Sequence, residues 1–566
     1  MSDRPPHGNA TVSNASVSGK MRQRSRQACG PCRQRKRKCD GQFPCSTCTG
    51  YGYDCQYMDE PSKAAKRSAD DAGLLPLPPA KEARVLEWQD THANRAPAIS
   101  TPSSGILEPL KLRYMGRHSS VAFPMTVGLE MQAANPPRLH SFAYNPGVRA
   151  EPGCGVNFDL ATYISWDKVK NLMDVYSLTV HPVFGILDLE RLSQRGEEHW
   201  HGRDQGLGFE ALISGVIGLG SLFSGFLGED QEMRIVRHAK EILEDASIGR
   251  VPSIDKIAGW ILRTVYVRTT SRPHSAWMCS CTTMHLVEAA GLHQPLDAVV
   301  LTTGDSGKKA LEDIAETRER IAQIAQCLNI IIAYDYGRSV VNLGLTWKSG
   351  LRDGVRQGDW TPQLFDLVGA VPLDRHADDA ARRNELMAGL DKVAQTVVEH
   401  DFLVLIKADL AFCLFRRLRV LEWTWPPGSL HTIVSVGLLA LPAARRLMVQ
   451  NHPWWNVVGT VFQFICVLIA IDTTESLETI SEAMETLEMI TERLSTHLAI
   501  EALHTARHLV RASLEKKHKG ISILERVSGI SDGAEGQWPS LGSFLESFQQ
   551  TPSMDMDFLL GMDLLL

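Results

Sequence analysis

Six of the twelve cysteines lie within 27 residues, as two triplets of identical spacing set sixteen residues apart. Thiolates separated by two residues are typical ligands of tetrahedral zinc. Six sulfur atoms give two zinc ions four ligands each only if two sulfurs bridge, so the repeat favours a binuclear cluster over one zinc ion with two spare thiols. A disulfide framework is disfavoured because the N-terminal segment has no apolar export signal. The candidate ligands are Cys29, Cys32, Cys39, Cys45, Cys48 and Cys55.

Basic residues are concentrated around the first triplet. Residues 20–38 include nine Lys or Arg residues and no acidic residue, whereas residues 40–55 include no Lys or Arg. A short helix at 33–38, held at both ends by zinc, would present basic side chains to the DNA major groove, where Lys and Arg read guanine. Flanking basic residues are expected to bind phosphate, which adds affinity but little specificity. The candidate DNA contacts are Arg33, Arg35, Lys36, Arg37 and Lys38 in the helix, and Arg22, Arg24 and Arg26 before it.

The run Cys-Gly-Pro-Cys-Arg-Gln-Arg-Lys-Arg-Lys-Cys and the spacing of the second triplet resemble the fungal Zn2Cys6 binuclear-cluster transcription factors. The resemblance covers about 30 residues. It implies two zinc ions, bridging roles for Cys29 and Cys45, and base reading by Arg35 and Lys36. It also implies double-stranded DNA targets that contain CGG triplets and a nuclear location. A metal-storage segment and an RNA-binding zinc module are the alternatives for this segment.

Residues 59–150 hold eleven of the 28 prolines, with Ser, Ala and Asn between them. This composition predicts a disordered linker. Many relatives of the resembled family dimerise through a coiled coil after the cluster, but this segment has no sustained heptad pattern. The chain is therefore expected to bind DNA as a monomer, or to form a homodimer through its large helical domain.

Helical apolar spacing continues from about residue 155 to 525, and good strand signals are missing. We predict an all-α domain over 151–526. Helices are expected at 252–270, at 275–290 with Gly291 as the C-terminal cap, at 318–336 and at 473–519. The last of these has Asp472 and Glu475 as its predicted capping pair. Its apolar stripe is interpreted as a core face rather than a dimer seam, and the glycines at 215, 218, 220 and 225 predict close helix packing.

Three segments of this domain resemble landmarks of the fungal transcription-factor regulatory domain, also called the middle homology domain. They are His181–Leu192, Trp277–His293 and Tyr334–Arg338. The resemblance spans roughly residues 150–430, and it implies a regulatory role, in some members with a small-molecule effector.

The sequence gives little support to the hypothesis that the helical domain is an enzyme. Glu198 with His201, and Glu501 with His504, each match half of a di-iron helix motif, but the full site needs two more carboxylates on two more helices. No phosphate-binding loop or nucleophile elbow is present. We therefore predict no enzymatic activity. The rival hypothesis is a helical ligand sensor or enzyme with the zinc cluster as its targeting module.

The C-terminal segment 527–566 has six acidic residues and no Lys or Arg. Large apolar residues lie between the acids, a pattern typical of disordered activation domains that dock into coactivator grooves. The segment is interpreted as an activation tail, with a self-inhibiting tail or a repressor as the alternatives. The candidate docking residues are Phe544, Leu545, Phe548, Phe558, Leu559 and Leu560.

The whole chain has 566 residues, a net charge of −6 and 44% hydrophobic residues, which is a globular composition rather than wholesale disorder. Its longest apolar stretches, 211–228 and 457–471, are interpreted as buried helices, so no membrane span is predicted. The predicted order is a disordered basic N-terminus (1–25), a zinc cluster (26–58), a linker (59–150), a helical regulatory domain (151–526) and an acidic-hydrophobic tail (527–566). Together these features predict a nuclear, zinc-dependent RNA polymerase II transcription factor that acts as an activator.

Overall fold

The computed structural model describes two compact units, one within residues 1–95 and one within residues 96–566. The described residues of the first unit are 28–34, 39–51 and 55–57. Those of the second unit are 105–116, 118–120, 123–124, 127, 131, 158–245, 252–301, 309, 311–345, 358–373, 378–426 and 428–528.

The first unit contains two short helices, α1 (Gly30–Gln34) and α2 (Ser46–Tyr51), each of which begins directly after the first cysteine of a triplet. The Asp40 carboxylate accepts the backbone N–H groups of Gln42 at 3.0 Å and Ser46 at 2.9 Å, so it ties the inter-triplet turn to the start of α2. In the described part of this unit the buried core consists of cysteine side chains. A core of this kind is too small to stabilise a fold by apolar burial alone.

The second unit is a helical domain with 15 α-helices in its described part. Its first half contains α3 (Leu160–Tyr163), α4 (Trp166–Thr179), α5 (Leu189–Trp200), α6 (Leu207–Ser224), α7 (Glu229–Glu244), α8 (Ile254–Thr270), α9 (Pro273–Ala289) and α10 (Ala315–Asp335). Its second half contains α11 (Thr361–Gly369), α12 (Asp379–Gln395), α13 (Asp401–Val420), α14 (Ser429–Val449), α15 (Val457–Ile471), α16 (Thr474–Leu494) and α17 (His497–Ser528).

The helix predicted over 252–270 is confirmed, and it corresponds to α8. Its N-terminus is capped by Ser253, whose hydroxyl accepts the Lys256 N–H, and its apolar face, including Ile257 and Ile261, is fully buried. The predicted stop after 290 is also confirmed, because Gly291 has a φ of +68° directly after the C-cap of α9.

Glycines on α6 allow other helices to approach closely, as the sequence predicted. A Cβ atom at Gly215 would lie 3.0 Å from Leu262 of α8, and one at Gly218 would lie 3.0 Å from Val236 of α7. At Gly220 an added Cβ would overlap the carbonyl oxygen of Leu172 in α4. The α6 helix is therefore the central helix on which α4, α7 and α8 pack.

A small mixed sheet lies beside the helices, with the strand order β2-β1-β3. Its strands are β1 (Gly105–Glu108), β2 (Arg113–Gly116) and β3 (Val299–Leu301), with β2 antiparallel and β3 parallel to β1. The buried Leu107 packs with Val299 and Leu311. The sequence did not predict these strands, and residues 105–116 lie in the second unit, inside the segment interpreted as a linker. The second unit is largely helical, as predicted.

The long helix predicted at 473–519 is two helices. Ser495, with a φ of +50°, ends α16, and α17 then continues through Gly520 to Ser528. The cap of α16 is a reciprocal pair in which the Thr473 N–H donates to the Ser476 hydroxyl at 2.9 Å and the Ser476 N–H donates to the Thr473 hydroxyl at 3.3 Å. The predicted pair Asp472 and Glu475 is therefore wrong. Asp472 instead ends α15 with a φ of +59°.

Two described helices, α6 and α14, are long and apolar enough to cross a membrane. More than half of each apolar stretch is buried against neighbouring helices, which is the usual position of core helices in a helical domain.

Candidate zinc cluster and nucleic-acid interface

The first unit brings all six cysteines of the two triplets together, as the spacing predicted. The Sγ atom of Cys29 lies 3.4 Å from that of Cys48 and 3.7 Å from that of Cys45, and the Sγ atoms of Cys32 and Cys45 are 3.6 Å apart. Five of the six side chains are buried and Cys39 is partly buried. Separations of this size are those between sulfurs that share a tetrahedral metal ion.

The six sulfurs form two overlapping groups of four, each with all ligand atoms within 4.8 Å of one another. Both groups contain Cys29 and Cys45. The remaining members are Cys32 and Cys39 in one group and Cys48 and Cys55 in the other. This overlap is the arrangement that two four-coordinate ions need when only six sulfurs are present.

The protonation chemistry of the cluster also fits two cations. Burial, together with the neighbouring Cys29 and Cys45 sulfurs, raises the pKa of the Cys48 thiol. The pKa of Cys32 is raised in the same way. Thiolates cannot coexist at these separations without compensating positive charge, and bound zinc ions would supply that charge and take the place of the thiol protons.

Backbone N–H groups of the triplets and one residue outside them, Tyr57, contact the sulfurs. Backbone N–H groups donate to two of them, from Cys45 to the sulfur of Cys55 at 3.2 Å and from Cys48 to the sulfur of Cys45 at 3.3 Å. The Tyr57 hydroxyl donates to the carbonyl oxygen of Gln42 at 3.0 Å and lies 3.3 Å from the Cys39 sulfur. Sequence reasoning missed Tyr57 and Asp40. The available signal was their closeness to a ligand cysteine, since Asp40 directly follows Cys39 and Tyr57 lies two residues after Cys55.

Two segments of the chain match known protein families. Residues 27–65 match the Fungal Zn(2)-Cys(6) binuclear cluster domain, and residues 173–345 match the Fungal specific transcription factor domain. Protein RDR1 of Saccharomyces cerevisiae is 40% identical over 512 residues, which cover 90% of this chain and 92% of that protein.

The chain belongs to the fungal Zn2Cys6 transcription factor family.

Further relatives of this Zn2Cys6 factor match over long stretches as well. Transcription factor kojR of Aspergillus oryzae is 34% identical over 514 residues, which cover 90% of this chain and 88% of that protein. A probable transcriptional repressor of Schizosaccharomyces pombe, C1348.12, is 25% identical over 315 residues, which cover 55% of this chain and 72% of that protein. The cluster of this family binds two zinc ions, and its members are DNA-binding transcription factors rather than enzymes.

The DNA contacts predicted for this Zn2Cys6 factor lie mostly outside the described residues. Arg33 is described and exposed, on α1 one residue after the buried Cys32. The other predicted contacts, Arg22, Arg24, Arg26, Arg35, Lys36, Arg37 and Lys38, fall outside the described residues, as do the predicted tail residues Phe544, Leu545, Phe548, Phe558, Leu559 and Leu560.

The three landmark segments of the regulatory domain lie close together. The second contacts the third, and a side chain of α10 contacts the first. Trp277 donates its indole N–H to the carbonyl oxygen of Ser339 at 3.1 Å, beside the Tyr334–Arg338 landmark. The guanidinium of Arg338 lies 4.7 Å from the Trp277 ring centroid. Arg320 on α10 donates to the carbonyl oxygen of Gly185, in the first landmark, at 2.8 Å.

One further group of possible metal ligands lies in the described helical unit, and its histidine already contacts protein groups. His199, Asp204 and Glu210 lie close together, but the Nδ1 atom of His199 accepts the Gln205 backbone N–H at 3.3 Å, so the ring proton is on Nε2. That nitrogen faces Glu210 at 3.6 Å, so both ring nitrogens of His199 already contact protein groups. His201, from the predicted di-iron half-motif, bonds the Glu197 carbonyl oxygen instead.

Proposed function

We propose that this chain is a sequence-specific RNA polymerase II transcription factor that reads CGG-containing DNA through the basic segment between Cys32 and Cys39. The observation that carries the proposal is the pair of four-sulfur groups that share Cys29 and Cys45. Because Cys32 and Cys39 belong to the same group, the six residues between them are tied at both ends. A six-residue segment has too few hydrogen bonds to be a stable helix by itself, and the zinc ligands supply the missing constraint.

The proposal also assigns a role to each of the six ligand cysteines. Cys29 and Cys45 bridge the two zinc ions. Cys32 and Cys39 complete one tetrahedron, and Cys48 and Cys55 complete the other. The shared membership of the two four-sulfur groups supports this assignment.

The DNA contacts are assigned from the sequence and the family. Arg35 and Lys36 read guanines in the major groove, and the basic residues around them bind phosphate. The complete absence of Lys and Arg from 40–55 supports a one-sided interface in which the first triplet faces the DNA.

Selection of binding sites from random DNA by the full chain, with and without a zinc chelator, tests the proposal. Enrichment of CGG-containing sites that the chelator abolishes is the expected result. Enrichment that survives removal of zinc, or enrichment of unrelated sites, would contradict it. The number of triplets in each selected site also reports how many copies of the chain bind.

The tail at 527–566 makes activation the favoured direction of regulation, through the docking of its apolar residues into coactivators. The similarity to a probable transcriptional repressor favours repression as the second candidate. Deletion of residues 537–566 should reduce the output of a reporter driven by the selected site. Unchanged output would remove the activation assignment, and increased output would favour a repressor. Nuclear accumulation, which is general in the family, is expected and can be followed in the same cells.

A homodimer through the helical domain also stays a prediction. The described part of α17 beyond residue 511 is solvent-exposed, and Leu514, Ile521 and Leu524 lie at spacings of seven and three residues on one face. Such a stripe suits a helix pair. Sedimentation of the full chain and of the Leu514→Lys/Leu524→Lys variant tests this assignment, since the variant should shift a dimer to monomer.

A further inference from the structure

A groove on the helical domain is lined by four guanidinium groups over an apolar floor. It is a cavity of about 660 Å³ between the end of α10, α12 and the last turns of α13. We call it the arginine groove, and its guanidinium groups belong to Arg338, Arg382, Arg416 and Arg417.

Neighbouring rings hold two of these arginines in position. The Arg338 guanidinium lies 4.7 Å from the ring centroids of both Trp277 and Tyr336, and that of Arg417 lies 4.9 Å from the Tyr334 ring. Stacked guanidinium groups keep their N–H donors available at the edge while their faces are covered. The groove therefore presents oriented cationic donors rather than mobile surface charges.

The positive charge of the groove is incompletely neutralised. Among the described lining residues the one carboxylate is Asp335, which is paired with Arg268 outside the groove. Arg382 is paired with Asp379. Arg416 donates to the neutral amide of Gln463 at 3.1 Å. Among the described residues no carboxylate lies within 4 Å of the guanidinium nitrogens of Arg338 or Arg416.

The floor of the groove is apolar. Leu386 and Cys413 are buried at its base. The apolar surface that an occupant can cover belongs to Val420 and Tyr336 at the rim, which are 82% and 41% exposed. An occupant must therefore combine negative charge with large apolar groups. A simple inorganic anion would leave this apolar surface uncovered.

The chain contains one segment with this chemistry. The 38 residues that follow Ser528 contain six acidic residues and no Lys or Arg, with large apolar residues between the acids. The clearest example is the run 555–560, in which Asp555 and Asp557 lie beside Phe558, Leu559 and Leu560.

The helix that leads into this segment passes the same end of the domain as the groove. Arg419, in the last turn of α13, donates to the carbonyl oxygen of Ala470 in α15 at 2.9 Å. Asp472, directly after α15, pairs with Lys517 of α17 at 2.6 Å. Lys517 is about 16 Å from the end of α17, and 38 further residues can extend for more than about 100 Å. The chain is thus long enough to return to the groove.

We propose that the segment 529–566 docks into the arginine groove of its own chain, with its carboxylates on Arg338 and Arg416 and its apolar residues on Tyr336 and Val420. Docking covers the same apolar residues that the tail would present to a coactivator. The docked tail therefore does not activate transcription, and its release makes those apolar residues accessible. This regulatory consequence rests on the activation role proposed above, whereas the docking itself does not.

Photocrosslinking within the full chain tests the docking. A benzoylphenylalanine placed at position 558 should crosslink to α12 or to the end of α13 in the same chain, as mapped by mass spectrometry. Crosslinks to other parts of the domain, or the absence of any crosslink to the domain, would overturn the proposal. Mixing light- and heavy-isotope chains identifies crosslinks between two copies, and these would show that the tail of a second chain is the occupant, which also overturns it.

Charge reversal separates specific docking from random contact. The Arg338→Glu/Arg416→Glu variant should lower the groove crosslink by about tenfold, because like charges then face each other. Adding Asp555→Arg/Asp557→Arg to that variant should restore the groove crosslink, because opposite charges then face each other again. Arg234→Glu is the matched control, because Arg234 is an exposed arginine of α7 outside the groove. Equal losses in the control and groove variants, or no recovery in the compensated chain, would contradict the assignment.

The circular dichroism spectrum and melting temperature of each variant show whether the helical domain remains folded. Site selection with the same variants reports DNA binding separately. Failure of docking with intact CGG selection would remove only the present inference, whereas loss of CGG selection in the unmodified chain would remove the proposed function and leave the crosslink result standing.

Discussion

The sulfur atoms of Cys29 and Cys45 lie 3.7 Å apart, and both belong to each of the two four-sulfur groups. These cysteines hold the same position in the two triplets, so the internal repeat of the sequence corresponds to an approximate symmetry of the cluster. Loss of either shared sulfur removes a ligand from both metal sites, whereas loss of any other cysteine removes a ligand from only one.

We expect Cys29→Ser to lose both zinc ions and Cys39→Ser to retain a larger fraction of bound zinc. Atomic emission spectrometry of the purified full chains measures the zinc content of each. Cys466→Ser is the control, because Cys466 is a partly buried cysteine of α15 in the helical unit, and it should keep two zinc ions. Equal zinc loss in Cys29→Ser and Cys39→Ser would contradict the bridging assignment.

Base reading and phosphate binding predict different outcomes for two substitutions in the basic segment. Lys36→Ala should weaken binding to the selected CGG site by about 1–3 kcal/mol and relax the base preference. Arg24→Ala should weaken binding to specific and random DNA alike and reduce the salt dependence by about one phosphate contact. Fluorescence anisotropy over a salt series measures both. Parallel losses on both DNAs for both variants would show that these roles are wrongly assigned.

The zinc cluster was predictable because metal coordination imposes a strict spacing on a few residues of distinctive chemistry. Two triplets of cysteines at identical spacing leave few alternatives, and the structure confirms that the six sulfurs converge. Helices such as α8 were predictable for a similar reason, since Ile257, Ile261 and Val265 repeat at the helical period and are all fully buried.

The small sheet was not predictable because its pairing is non-local. Leu107 of β1 packs against Val299, nearly two hundred residues later, and each strand has only three or four residues. Strands of that length have no readable alternation. The break between α16 and α17 was missed for a different reason, since Ser495 adopts the left-handed conformation without the glycine that usually marks it.

Close packing at Gly220 makes a specific prediction about stability. Gly220→Ala should destabilise the helical domain by about 1–3 kcal/mol, because the new methyl group overlaps the backbone of Leu172 and α6 must move away from α4. Gly459→Ala is the matched control within a helix, since nothing lies within 4 Å of its added Cβ atom, and it should stabilise α15 by about 0.5–1 kcal/mol. Urea denaturation followed by circular dichroism measures both. A stability loss of the same size in both variants would show that the contact with the Leu172 backbone does not set the cost.

The carboxyl group of Asp409 makes the stability of the helical domain depend on pH. It accepts hydrogen bonds from the Thr460 hydroxyl at 2.6 Å and the Asn456 amide at 3.0 Å, and its pKa is raised to about 7, chiefly by burial and then by the nearby Asp335 carboxylate. The unfolded chain releases this proton near pH 4, so between about pH 4 and pH 7 the folded state binds more protons than the unfolded state. The contribution of Asp409 to stability is therefore fully present below pH 4 and is lost as the pH rises to about 7.

Asp409→Asn should remove this dependence, because the amide keeps the shape of the protonated acid and has no proton to release. The free energy of unfolding of the variant, minus that of the parent chain, should therefore increase with pH. We expect this difference to be about 1–3 kcal/mol larger at pH 8 than at pH 5. Urea denaturation at pH 5, 6, 7 and 8 measures the difference, with Asp174→Asn on the exposed face of α4 as the control. An unchanged pH slope in Asp409→Asn would show that Asp409 is already ionised in the folded domain, with Arg268 or water stabilising its charge.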